Sequence, residues 1–277
     1  MQTVAIAGVG LIGGSFGLAL KKAGFAGKIL GVSSPATLRI ALDRGAIDEA
    51  ADLAQAAHRA DLIYLSQPIG RILDTLHHLD AMVNPEALVT DAGSTKGAIV
   101  STARKHIRRC VFLGGHPMAG KEKRGVAEAD GELFRGRTYV LTPEDPAMLD
   151  KPPARSFLEW LERIGAAPVV LTAEEHDRIV AFTSHLPQLV STALAATVAE
   201  QAGDRLAVAG PGLADTTRLA LSPYELWRDI LATNSQRIEE ALTAYITKLE
   251  HLRDNLRTRQ IESEFEIAAA LATTLRK

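Results

Sequence analysis

Short runs of aliphatic and β-branched residues recur along the first 171 residues, separated by stretches whose apolar positions repeat at helical spacing. "TVAIAG", "KILGVS", "DLIYLSQP", "ALVTDAG", "CVFLGG", "TYVLTP" and "APVVLT" each read as a buried strand. Strands alternating with helices predict βαβ units, and hence a parallel sheet covered on both faces. The alternation stops at Thr172, and from "AEEHDRIVAFTSHLPQLVSTALAATVAEQ" onwards the pattern is helical, broken by "AGPGLADTTR" and "SPYE". Two units are therefore expected, an α/β unit over 1–171 and an all-α unit over 172–277. In the last stretch Ile238, Leu242, Tyr245, Leu249, Leu252 and Leu256 draw a heptad seam. Its partner is either a helix of the same domain or a second copy of the chain. The proline-rich segment 142–155 reads as a surface loop.

Composition narrows the possible functions. With 31 basic and 33 acidic side chains the charge nearly balances, and "RKHIRR" at 104–109 stands alone without interleaved aromatics. It reads as the solvated end of a helix, so no nucleic-acid partner is expected. The single cysteine, Cys110, excludes an internal disulfide and a cysteine-based zinc cluster, and suits a reducing compartment. The apolar N-terminus has no basic leader and reaches a glycine turn early, and no later apolar run looks long enough to cross a bilayer. A cytoplasmic protein without a membrane partner is expected, with no regulatory domain beyond the helical one.

"GVGLIGGS" directly follows the strand "VAIA" and opens a helix. Strand, glycine turn and helix together make the fingerprint of a Rossmann-type dinucleotide site. Gly8 permits the turn, Gly10 lets the backbone approach a pyrophosphate, and Gly13 allows close packing, so that the helix start at Leu11 and Ile12 faces the anion. A cluster of turn glycines without a ligand is the alternative. Where a carboxylate would select NAD at the end of the second strand, this chain has Ser33 and Ser34, followed by Thr37 and Arg39. Hydroxyls with a nearby cation accept a 2'-phosphate, which leans the expectation from NAD towards NADP; simple turn residues and a solvated arginine are the other reading.

Ligands of open parallel sheets bind beyond the carboxyl ends of the strands. Ser66 and Pro68 of "SQP", Ser94 and Lys96 of "DAGSTKG", and His116 of "GGHPMAG" all fall there. His116, expected just past a strand end, has an intrinsic pKa suited to taking a proton from an alcohol while hydride leaves the same carbon. The plainer alternatives are a turn histidine for His116, a helix N-cap for Ser94 and an exposed first-turn residue for Lys96. His77, His78 and His251 read as surface residues, and His176 as local to a helix start. No histidine and carboxylate set has metal-ligand spacing, so no metal is expected.

In order along the chain, "GVGLIGGS", "DAGSTKG", "GGHPMAGKE", "SHLPQL" and "DTTRLA" together resemble the prephenate and arogenate dehydrogenases of tyrosine biosynthesis. The resemblance implies a nucleotide-binding domain followed by a helical dimerisation domain, and hence a homodimer. It implies that His116 is the base for a ring hydroxyl, with Ser94 supporting it and ordering the nicotinamide. It makes His185 a substrate-binding histidine and Arg218 the grip on a substrate carboxylate, with Glu122 and Asp215 as acidic residues pairing near this arginine and Trp227 as an apolar wall. Gln188 presents an amide rather than a carboxylate, favouring prephenate over the ammonium-bearing arogenate. Against these roles stand a helix histidine beside a Pro187 kink, an Arg218–Asp215 helix pair and a core tryptophan.

Two other classes fit parts of the pattern. A β-hydroxyacid or 6-phosphogluconate type dehydrogenase would carry a lysine near the domain boundary, and "AEEHDRIVAFTSHLPQ" has none. A non-catalytic nucleotide sensor would dimerise through the same helices. Replacement of His116 separates a sensor from an enzyme.

Overall fold

A computed structural model describes residues 1–203, 205–258 and 260–276; Lys277, the last residue of the expected helical unit, lies outside the described residues. The first part runs β1 (Thr3–Ala7), α1 (Leu11–Lys22), β2 (Lys28–Val32), α2 (Pro35–Asp43), β3 (Glu49–Ala50), α3 (Leu53–Arg59), β4 (Leu62–Leu65), α4 (Ile69–Leu79), β5 (Leu88–Asp91), α5 (Gly97–His106), β6 (Val111–Pro117), β7 (Thr138–Thr142), α6 (Pro152–Arg163) and β8 (Ala167–Val170). The strands form one sheet in the order β3-β2-β1-β4-β5-β6-β7-β8. Local chemistry starts the outer helices: Ser34 and Asp52 cap α2 and α3, and Pro152 and Pro153 open α6. Segment 142–155 is thus a loop only in part.

The sheet is not wholly parallel. β6 and β7 pair antiparallel, while β7 and β8 are parallel to each other. Between β6 and β7 the chain makes only a short 3₁₀ turn, Val126–Glu128, instead of a crossover helix, so it re-enters the sheet at the end where β6 leaves it. β6 also continues through "GGHP", which puts His116 within the strand opposite Val140 rather than beyond its end.

Two apolar layers cover the sheet. On one face Phe16 of α1 stacks on Tyr64 with centroids 4.1 Å apart, and Phe134 and Phe157 pack edge-on against Phe16. All four rings are buried. The opposite layer is aliphatic, built from α3, α4 and α5 with Ile230 and Trp227 reaching in from the second part of the chain.

That second part runs α7 (Ala173–Val180), a π turn (Ala181–His185), α8 (Leu186–Ala202), α9 (Pro211–Thr217), a 3₁₀ turn (Arg218–Leu221), α10 (Tyr224–Thr233), α11 (Ser235–Asp254) and α12 (Glu262–Thr274). Thr172 and Glu175 form a reciprocal capping box that starts α7. Contrary to the sequence expectation, the stretch Ala173–Ala202 is long and apolar enough, by length and composition, to cross a membrane. It is nevertheless interrupted by the π turn and Pro187, buries His185, Gln188 and Ser191, and packs Leu186 and Leu189 against Ile238 and Ala241. Those are the partners of a helix inside a folded domain.

The core of this part is small, centred on Ala181, Ile238 and Ala241. The α11 seam begins in it and then emerges: Ile238 is buried, whereas Leu249 and Leu256 are exposed, as are Phe265, Ile267 and Leu271 of α12. Replacing Phe16 by Ala removes the ring on which three other aromatics converge. Chemical denaturation should show a loss of about 3–5 kcal/mol, and an unchanged midpoint would mean that the aromatic layer does not carry the domain.

Candidate active site

The glycine turn is shaped by contact. Gly8 has φ +95°, a left-handed conformation, and its N–H donates to Val32 O at 2.9 Å. Ser66 Oγ, at the end of β4, donates to Gly8 O at 2.8 Å. A Cβ on Gly13 would lie 2.3 Å from that same carbonyl, so only glycine lets α1 sit against the turn. At Gly10 the reverse holds, because a Cβ there would meet nothing within 4 Å. The space over Gly10, at the start of α1 and with no side-chain cap of its own, is therefore where an anion can approach.

A cavity of about 730 Å³ opens there, lined among others by Gly8, Gly10, Ser33, Thr37, Ser66 and Pro68, a size that suits a nucleotide cofactor. Leu11 and Ile12 are half-buried and pack on the core behind it. Ser34 and Arg39 are not among the residues that line this cavity: the Ser34 hydroxyl contacts Thr37 Oγ1 at 2.9 Å in capping α2, and Arg39 is exposed. Arg71 of α4 lines the cavity instead, a cation the sequence pattern did not single out.

At the ends of β5 and β6 the polar groups are buried. Lys96 is fully enclosed, not exposed, and its ammonium donates to Asp91 Oδ2 and, at 2.7 Å, to Gly115 O. Asp91 also accepts the N–H groups of Gly93 and Gly115. The Lys96–Asp91 pair thereby clamps the residue that precedes His116. Burial pulls the Lys96 ammonium down from its usual range, with Asp91 opposing. Ser94 is half-buried in the same loop and does not cap α5, whose N-cap position is Lys96.

The cap comes from the other part of the chain. Asp177 of α7 accepts the N–H of Lys96 at 2.7 Å on Oδ1 and that of Gly97 at 2.8 Å on Oδ2. The same Oδ1 accepts Nδ1 of His176 at 2.8 Å, and His176 Nε2 lies 2.8 Å from Nδ1 of His116. His176, expected to be local to a helix start, is completely buried. Burial alone would raise the Asp177 carboxyl, but these donors hold it below the usual range. His116 is half-buried, and the protein around it drives its pKa well down, burial first, then the neighbouring His176, Lys96 and His185.

His185 is buried beside them, aimed inward by the π turn that precedes Pro187. Asn234 Nδ2 donates to Asp177 O at 2.8 Å and lies 3.3 Å from His185 Nδ1, and Trp227 meets the His185 ring edge-to-face at 5.9 Å. Burial lowers the His185 pKa to about 4, against the pull of Asp177. Trp227 Nε1 is held by Ser222 at 3.0 Å. Gln188 is buried, and its Nε2 donates to Leu219 O at 2.9 Å, tying α8 to the turn that carries Arg218.

Arg218 is exposed and faces Glu122 at 3.4 Å, across from the segment after β6. Asp215, three residues earlier, is exposed, and the pair made by Arg218 among the described residues is with Glu122, not Asp215. An exposed pair at that distance contributes little, about 0–1 kcal/mol, and opens readily. His176, Asp177, Asn234 and the Lys96–Asp91 pair were missed or read as peripheral from sequence. The available signal was the adjacent His-Asp pair itself, which lies too far along the chain from His116 to be linked to it by spacing.

Comparison with known proteins places the chain in a family. The family description "Prephenate dehydrogenase, nucleotide-binding domain" matches residues 16–170, and "Prephenate dehydrogenase, dimerization domain" matches residues 172–272. The prephenate dehydrogenase of Lactococcus lactis subsp. cremoris is 34% identical over 258 residues, covering 91% of this chain and 70% of that protein. Prephenate dehydrogenase from A. aeolicus, solved with hydroxyphenyl propionate and NAD+, superposes with a TM-score of 0.88 at 31% identity, covering 100% of this chain and 98% of that one. Synechocystis arogenate dehydrogenase superposes with a TM-score of 0.81 at 33% identity over 99% of each chain. With family matches over both parts of its length, this chain is an oxidoreductase of the prephenate dehydrogenase family.

Proposed function

We propose that the protein catalyses the NAD(P)-dependent oxidative decarboxylation of prephenate to 4-hydroxyphenylpyruvate, as a cytoplasmic homodimer in which each chain has a nucleotide-binding domain over 1–171 and a helical substrate-binding and dimerisation domain over 172–277. The observation that carries this function is His116, half-buried and with its pKa driven down by its surroundings, at the carboxyl edge of the sheet that also forms the nucleotide cradle. In its neutral form the ring takes the proton of the substrate's ring hydroxyl. A bound nicotinamide would supply the acceptor for the hydride that leaves the carbon bearing that hydroxyl. The ring carboxylate then leaves as carbon dioxide, its bonding pair aromatises the ring, and the phenolate oxygen recovers the proton from His116. Aromatisation makes the sequence effectively irreversible, so the chain supplies a base, orientation and charge.

Ser94 supports the base and orders the nicotinamide. His185 and Trp227 form the inner wall for the substrate, and Arg218 takes a substrate carboxylate in its planar fork when the Glu122 pair opens, with Asp215 at the same entrance. Gln188 acts from behind by holding the turn that carries Arg218. Exposed apolar side chains on α11 and α12 support dimerisation through the helical part. For the cofactor, Gly8, Gly10, Gly13, Ser66 and Pro68 cradle the pyrophosphate region. Ser33 and Thr37 stand where a carboxylate would repel a 2'-phosphate, and Arg71 is close by on the wall. This lining supports use of NADP as well as NAD, with a lean towards NADP.

His116→Asn should leave cofactor binding intact and lower prephenate-dependent nicotinamide reduction by at least about a hundredfold; undiminished turnover would overturn the assignment. A two-by-two assay of prephenate or arogenate with NAD or NADP should give the higher kcat/KM with prephenate and with NADP. A higher value for arogenate would reassign the substrate, and one for NAD would remove the cofactor preference.

A further inference from the structure

Three groups stand in line behind the base. Asp177, ionised and an acceptor only, receives a hydrogen from His176 Nδ1, so in the neutral ring His176 Nε2 is the acceptor. The 2.8 Å contact to His116 then requires His116 Nδ1 to be the donor. That leaves the Nε2 lone pair of His116 bare. We propose that His176 and Asp177 are positioning residues for the base: they fix His116 in the tautomer whose Nε2 accepts the proton, and they stabilise the cation formed when it does. This rests on the assignment of His116 as the base.

The arrangement answers an electrostatic difficulty. His116 has the Lys96 ammonium and the His185 ring among its neighbours, and burial also disfavours its charged form. A base so placed is available at neutral pH but weak. The other charges at this point are Asp91, already paired with Lys96, and Asp177, reached through His176. When substrate oxygen gives its proton to Nε2, the new charge on His116 is delocalised along the Nδ1–H···Nε2 contact towards Asp177 and withdrawn when the phenolate recovers the proton. No net proton leaves the chain of groups.

The second part of the molecule also fixes the geometry. Asp177 is held by two backbone N–H groups at the start of α5, and Asn234 holds its main-chain carbonyl. A Cβ on Gly97 would sit 2.9 Å from Asp177 Oδ2, so glycine at that position leaves just enough room for the carboxylate. Asp177 is therefore a fixed anchor, and His176 bridges it to His116 with no freedom to turn away.

Nitrogen-15 NMR of the histidine-labelled full-length protein, with His116 assigned by its loss in His116→Asn, should show Nδ1 protonated and Nε2 bare at neutral pH. The opposite tautomer in the wild-type protein overturns the proposal, whether or not any variant folds. In steady-state kinetics with prephenate and saturating cofactor, His176→Leu should lower kcat about tenfold to a hundredfold with KM within about twofold. His176→Gln, which can accept from His116 and donate to Asp177, should recover most of that loss. Protonated His116 is inactive, so kcat falls on the acid side; in Asp177→Asn the cation loses its counterion, and that acidic limb should move to lower pH as the plateau drops. A folded His176→Leu with wild-type kcat and an unmoved limb, beside an inactive His116→Asn, removes the positioning role and leaves the base in place. An active His116→Asn removes the base itself.

Discussion

The carboxylate of Asp177 is the point on which the site depends, because it is used three times. It satisfies two backbone donors at the start of α5, it orients His176, and through His176 it reaches His116. The first N–H groups of a helix have no partner within it and carry the positive end of its dipole. α5 has no side-chain cap of its own, and neither has α4. In both cases the helical part of the chain provides the carboxylate: Asp177 for α5, and Asp229 of α10 for the Gly70 N–H of α4 at 2.9 Å. A hydroxyl contact between Thr95 and Thr233 at 2.7 Å adds a third tie. The nucleotide-binding sheet and the helical domain thus complete each other's hydrogen bonding where the chemistry has to occur.

This arrangement divides the labour within the site. The sheet contributes shape: the cradle at Gly8, Gly10 and Gly13, and the rigid β6 extension clamped by Lys96 and Asp91 that carries His116. The helices contribute polarity, through Asp177, His176, His185 and Asn234. A buried ammonium, a carboxylate and several imidazoles in so small a volume are tolerable only because each has a specific partner. The π turn belongs to the same scheme, since it places His185 inward where a regular helix running into Pro187 would set a different face.

Much of the site could be read from the chain alone wherever function depends on local backbone. "GVGLIGGS" after a strand identifies a dinucleotide turn because the requirement for glycine is set by residues next to it. His116 was singled out by its small neighbours, and the helical second part by loss of strand rhythm at Thr172. By contrast, the sequence placed Ser94 and Lys96 at the strand ends but could not choose between a site role and a helix cap or exposed position, because sequence proximity was the only guide to partners. The antiparallel turn between β6 and β7 was equally hidden, since a strand's pattern carries no sign of its direction.

The sequence by itself determined the glycine turn, seven of the eight strands and the change to helices at Thr172, and the residue types able to move a proton or hold a carboxylate. Those follow from periodicity and from the steric demands of glycine turns. Only the tertiary structure decided which carboxylate serves which helix, that His176 stands behind His116, and that Gln188 braces the Arg218 turn. The reason is physical: a hydrogen bond is specified by position and direction within a few tenths of an ångström, and His116 and His176, sixty residues apart, acquire such positions only when the two domains pack.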